Sequence, residues 1–123
     1  HLARALDAGV EGLSLAAVAA RDPAKAERLV SGFRAPPAVV SLPELAERAD
    51  VVVEAAPAAV FEQIADAAIA RGRVFVPASV GALLPRMHLV ERARETGARI
   101  VVPTGALLGL DAVRAAAEGE VES

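Results

Sequence analysis

Short apolar runs alternate regularly with capped, helix-like stretches along this chain, a pattern few folds can accommodate. Leu2, Leu6 and Val10 are apolar at helical spacing, and Gly9 is a helix stop signal. LSLAAVAA (Leu13 to Ala20) reads as a strand buried on both faces, because it is short and is broken by Arg21-Asp22-Pro23. Asp22 is a good N-cap and Pro23 suits the first helical position, so a helix follows, with Ala26, Leu29 and Val30 on one face. Pro36-Pro37 closes that unit, and Ala38 to Ser41 is a short strand. Ser41 caps a small helix with Glu44 three residues on.

Asp50 to Ala56 is the clearest strand, rich in β-branched residues. Pro57 opens a helix whose apolar stripe is Val60, Phe61, Ile64, Ala65 and Ala68, and Arg71-Gly72 ends it. Arg73 to Ser79 is a further strand, and Gly81 marks a turn. A helix from about Pro85 points Met87, Val90 and Ala93 inward and stops at Thr96-Gly97. Ala98 to Pro103 is the last strand, before a TGALLGL loop and a final helix over LDAVRAAAEG.

Strands alternating with helices predict right-handed crossovers and an α/β fold. The expected architecture is a doubly wound, mostly parallel sheet with helices on both faces, of the Rossmann type. A chain of 123 residues suits one domain. Hydrophobic residues make up 54% and aromatics only 2%, so the core must be built from Ala, Val, Leu and Ile. The formal charge of −3, with no basic patch, argues against a nucleic-acid partner. Cysteine is absent, which excludes a thiolate nucleophile and a Cys-based metal site and fits a reducing cytoplasm. No apolar run approaches the ~18–20 residues of a membrane helix.

In an open parallel sheet, ligands bind outside the carboxyl ends of the strands, where strand order reverses. That rule selects four turns: Arg21-Asp22, Glu54 to Pro57, Pro77 to Ala82 and Pro103 to Gly109. The first is where a dinucleotide fold reads the adenosine ribose. There an acidic residue bonds the 2′-hydroxyl and an Arg accommodates a 2′-phosphate. With Ala20 ending the strand and Arg21 beside it, NADP is expected to be tolerated. Asp22 serves the cap, and a solvated turn explains the pair equally well.

In the second turn, Ala55, Ala56 and Pro57 lead into a helix N-terminus. Packing alone explains such small residues too. The third and fourth turns are Gly-rich and allow close backbone approach, but neither carries the Lys of a P-loop. No metal-ligand spacing and no Ser–His–Asp set appears. His88, among Met87, Leu89, Glu91 and Arg92, reads as a surface or half-buried helix residue. Glu54 stands at the ligand edge as a candidate functional group.

The pieces ALDAG, LAAVAARDPAKAERL, DVVVEAAP, VPASVGALL and ARETGARIVVPTGALLGLDAVRAAAEG together resemble the cofactor-binding domain of the L-aspartate dehydrogenase family over nearly the whole chain. TGALLGLDA (Thr104 to Ala112) and SVGAL (Ser79 to Leu83) are the most specific parts. The resemblance implies an NAD- or NADP-dependent oxidation of L-aspartate to iminoaspartate, which hydrolyses to oxaloacetate and ammonia or feeds NAD synthesis. It implies cofactor contacts at Ala106 with Thr104 and Gly105, at the turn Ala55, Ala56 and Pro57, and at Ser79 and Gly81. Arg21 and Asp22 complete the expected cofactor-binding set. For Glu54 it implies a backbone-organising role. A cytoplasmic location and a homodimer are compatible with it.

The resemblance also implies a first strand and a G-x-G-x-x-G loop directly before HLARAL, and a second, α+β domain after Glu122-Ser123. That second domain carries the catalytic His and the substrate residues. Residues 1–123 are therefore expected to be one incomplete dinucleotide-binding domain with no catalytic residue of its own. Without a central strand, such a piece alone is expected to fold poorly. Two other readings remain. One is a Rossmann oxidoreductase of homoserine or sugar type, and the other is a non-catalytic dinucleotide-binding module or an inactive fragment.

Overall fold

The computed structural model describes residues 1–103. The elements follow the expected alternation: α1 (Leu2–Ala8), β1 (Ala17–Val18), α2 (Pro23–Val30), β2 (Ala38–Val39), α3 (Leu42–Arg48), β3 (Val51–Glu54), α4 (Ala58–Ala70), β4 (Val74–Pro77), α5 (Val80–Leu83), a 3₁₀ turn (Leu84–Arg86), α6 (His88–Thr96) and β5 (Arg99–Ile100). The final helix over LDAVRAAAEG and the TGALLGL loop lie outside the described residues.

Among the described residues every pair of strands is parallel, as the α/β reading requires. Among the described residues they form two pieces, β1-β2 and β3-β4-β5. The expected strand 13–20 is extended by hydrogen-bond pairing only at Ala17–Val18, and it is not buried on both faces. Leu13 is 56% exposed, and Ala17 and Val18 are half-buried. The physical reason is that β1 pairs with β2 alone. Its other flank opens on a groove of about 340 Å³, lined by Leu15, Ala17 and Ala19 on one side and Val51 and Val53 on the other. A strand with one partner and one open flank keeps solvent on its backbone and side chains.

The core sits on the β3-β4-β5 piece. Phe61 and Phe75 meet edge to face with ring centroids 5.7 Å apart, a favoured aromatic geometry. Around them pack Val52, Ile64, Ala65, Ala68, Ile69, Leu83, Leu89 and Ala93. The predicted stripe of α4 is confirmed at Phe61, Ile64, Ala65 and Ala68, with Val60 partly buried. In α2, Ala26 and Val30 are buried, but Leu29 is exposed. The inward face of α6 is also corrected: Leu89 and Ala93 are buried, Val90 is half-buried, and Met87 is 55% exposed. The cause is a break in helical phase. The chain passes through α5 and the 3₁₀ turn at Pro85 before α6 begins at His88, so Met87 sits outside the helix that was expected to carry it inward.

Local stop and start signals act as expected. Gly9 ends α1 with φ 115°, and Gly97 ends α6 in the left-handed region at φ 76°. Asp22 accepts a hydrogen bond from the Lys25 N–H at 3.0 Å and caps α2. At α3, the Glu44 carboxylate accepts from the Ser41 N–H at 2.9 Å and from its hydroxyl at 2.5 Å. These bonds, hydroxyl first, hold the Glu44 carboxyl below the ordinary glutamate value, with help from Arg48. A lowered folded value stabilises α3 above the unfolded value and loses that contribution as pH falls through the folded one. We therefore expect an NMR titration of the Glu44 side chain to give a midpoint below about 4.3, the model-peptide figure. The midpoint should rise in Ser41→Ala. A midpoint at the model-peptide figure, unchanged by that substitution, contradicts the capping assignment.

Candidate functional site

β3 alternates strictly, with Val52 and Glu54 inward and Val51 and Val53 exposed. Period-two alternation thus drives a carboxylate into the interior at the carboxyl end of the strand. Glu54 is only 1% exposed. An ionised carboxyl there requires hydrogen-bond donors on its oxygens. It has three. Its Oε1 accepts from the Ala56 N–H at 2.6 Å and from the Ser79 hydroxyl at 3.0 Å. Its Oε2 accepts from the Ser79 N–H at 3.1 Å. The Ser79 hydroxyl also lies 3.4 Å from the Ala56 carbonyl.

The register explains why these groups meet. Glu54 pairs with Pro77 across the parallel ladder, and the Ala78 N–H donates to the Glu54 carbonyl at 2.8 Å. The turns after β3 and β4 therefore leave the sheet side by side at its carboxyl edge, and Glu54 ties them together. The small residues of the first turn are accessible: Ala55 and Pro57 are exposed and Ala56 is half-buried. Pro57 sits at the N-cap of α4.

On the second turn, Ser79 is half-buried at the N-cap of α5. Gly81 lies inside α5 and is not a left-handed turn residue, which corrects the expectation of a turn there. Its value is space: a Cβ built at Gly81 meets nothing within 4 Å. Gly81 is exposed, so a ligand can approach its backbone.

Of the sequence-predicted cofactor residues, the structure thus brings Ala55, Ala56, Pro57, Ser79 and Gly81 to one edge. Arg21 and Asp22 are exposed and follow β1, in the other sheet piece. Asp22 is engaged in its cap. No hydrogen bond or ion pair among the described residues joins that turn to the Glu54 turn. Thr104, Gly105 and Ala106 lie outside the described residues.

His88 is a surface residue, its Nε2 3.7 Å from a Glu62 oxygen. Among the described residues no cluster of His, Asp and Glu suits a metal ion, and no helix is long and apolar enough to cross a membrane. The donor set of Glu54 is what sequence reasoning missed. The available signal was an acid closing an apolar strand directly before small residues.

Comparison with known proteins bears on this edge. A family model described as homoserine dehydrogenase, NAD binding domain, matches residues 1–103. The chain is 52% identical to an L-aspartate dehydrogenase of Bradyrhizobium diazoefficiens over 99% of its own length and 43% of that protein. It is 47% identical to L-aspartate dehydrogenase 3 of Bordetella bronchiseptica, over 93% of this chain and 42% of that one. The chain thus spans less than half the length of these curated relatives. A crystal structure of an NAD binding oxidoreductase from Klebsiella pneumoniae superposes with a TM-score of 0.60 at 25% identity, covering 85% of this chain and 31% of that one.

The open space at Gly81 yields a prediction. Alanine is the better helix former by roughly 1 kcal/mol, so Gly81→Ala leaves thermal stability unchanged or slightly raised. Where a dinucleotide approaches this backbone, the added methyl weakens its binding at least about tenfold, or ~1.4 kcal/mol. Fluorescence titration with NADH and NADPH reads this directly. Unchanged affinity places the ligand elsewhere.

Proposed function

The chain belongs to the NAD-binding domain family described for homoserine dehydrogenase, and from that premise we propose that it is the cofactor-binding part of an NAD(P)-dependent L-aspartate dehydrogenase. The observation that carries the substrate assignment is 52% identity to an L-aspartate dehydrogenase across 99% of this chain. The family description supports the domain's role and leaves the substrate open, because substrate residues sit in sites grafted on folds. A homoserine-acting enzyme is therefore the second reading.

The residues fit a dinucleotide. Small side chains at Ala55 and Ala56, the free space at Gly81 and the accessible Ser79 leave room for a flat ring and a ribose at the carboxyl edge. NAD or NADP, when bound, supplies the hydride-accepting chemistry. This chain's part is to hold it: the paired turns position one nucleotide, and the Arg21–Asp22 turn faces the other. Among the described residues none is arranged to move a proton to or from a substrate. Residues 1–123 are read as one incomplete domain, with catalytic residues outside this chain.

The test uses the intact protein that contains this chain. L-Aspartate should drive reduction of NAD or NADP, and L-homoserine should not. Homoserine-dependent reduction supports the second reading, and dinucleotide binding with no turnover of either supports a non-catalytic module. Arg21→Asp should weaken NADP about tenfold relative to NAD, from loss of one charge-assisted contact to the 2′-phosphate. An unchanged ratio shows that Arg21 does not face the 2′ position.

A further inference from the structure

Glu54 and Ser79 carry a consequence beyond tying two turns together. The Ser79 hydroxyl has one hydrogen to donate and two lone pairs to accept with. Its partner is Glu54 Oε1 at 3.0 Å, which accepts from this hydroxyl and from the Ala56 N–H. The hydroxyl hydrogen therefore points inward, to Glu54. A competing inward acceptor, the Ala56 carbonyl, is farther, at 3.4 Å, and draws the hydrogen to the same side. Ser79 is half-buried at the carboxyl edge, and with its hydrogen committed to Glu54 its oxygen is left to accept.

We infer that Glu54 is a positioning residue that fixes Ser79 as an acceptor-only group, and that Ser79 Oγ selects a hydrogen-bond donor on the nicotinamide half of the bound dinucleotide. The inference rests on the dinucleotide reading above. The half assignment follows from the fold: the turn after β1 reads the adenosine ribose, so the other mononucleotide half, built on β3, β4 and β5, takes the nicotinamide nucleotide. That nucleotide offers two kinds of donor, the carboxamide N–H and the ribose hydroxyls. Both present the same chemistry to Ser79.

The geometry also says what replacing Glu54 does. Three donors converge on its two oxygens. In Glu54→Leu both oxygens are gone, so all three donors lose their acceptor and the Ser79 hydroxyl is free to turn its hydrogen toward the rim, whereas Gln keeps one oxygen that can still accept from that hydroxyl.

The experiment uses the intact enzyme and two analogues of its preferred dinucleotide. One has the carboxamide replaced by acetyl, and the other lacks a hydroxyl on the nicotinamide ribose. Wild-type binding of NAD or NADP is measured first. Its absence overturns the dinucleotide reading, and the inference with it. Where the parent binds, one analogue should bind wild type about tenfold more weakly, which identifies the donor. That discrimination should fall to about one in Ser79→Ala and persist in Ser79→Thr, which keeps the hydroxyl. In Glu54→Leu, which removes both acceptor oxygens, the discrimination should also fall.

A merely structural role would weaken parent and analogue alike and leave their ratio unmoved. Equal binding of parent and both analogues by wild type overturns the inference while leaving the dinucleotide reading intact. So does discrimination that survives Ser79→Ala. The Ser79 pair decides the question even where Glu54→Leu does not fold.

Discussion

A carboxylate withdrawn from water is tolerated only where donors replace its hydration, and a buried charge left short of them costs several kcal/mol. Glu54 meets that demand with donors from two different turns. Each bond constrains a backbone segment that has no ladder of its own. The Ala56 amide is held on one side and the Ser79 amide and hydroxyl on the other. These bonds link the two turns at the carboxyl edge of β3 and β4. The geometry of the site follows from satisfying one charge.

The rest of the architecture supports that edge. α4 lays Phe61, Ile64, Ala65 and Ala68 beneath β3 and β4, and Phe61 meets Phe75 of β4. α6 adds Leu89 and Ala93 to the same core. Ion pairs from Glu62 to Arg86 and from Asp66 to Arg92 span the outer face between α4 and the 3₁₀–α6 segment. These pairs are half-exposed, so packing and not Coulomb attraction holds the helices. The β1-β2 piece is joined to this body more lightly. Between β1 and β3 runs an apolar groove, and among the described residues the two strands beside it have partners only on their far sides. In the strand order of a dinucleotide fold, that is the place where order reverses.

Much of this was legible in the residues. Caps read correctly because they are local: Gly9, Asp22, the Ser41–Glu44 box and Gly97 each need only their neighbours in sequence. The stripe of α4 read correctly because thirteen residues of helix give several turns of periodicity. Leu13 to Ala20 did not. Its burial depends on a neighbour across the groove, which no local pattern encodes. Met87 was misplaced because Pro85 shifts the helical phase, and a shift of a residue or two rotates a helix face. The rim was legible from strand alternation, and Glu54 was expected at its edge as a backbone organiser, but the groups it holds were not. Glu54, Ala56 and Ser79 meet through parallel register between segments about 25 residues apart, as the Ser79–Glu54 separation shows.

In the proposed binding mode, the turns after β3 and β4 form the rim on which the nicotinamide half of a dinucleotide lies. A crystal structure of the intact protein soaked with NAD or NADP tests it most directly. The nucleotide is expected along the carboxyl ends of β3 and β4, with Ser79 Oγ within hydrogen-bond distance of a nicotinamide-side donor and the Glu54 contacts intact. A nucleotide bound at the amino ends of the strands, or away from Ser79 altogether, contradicts it.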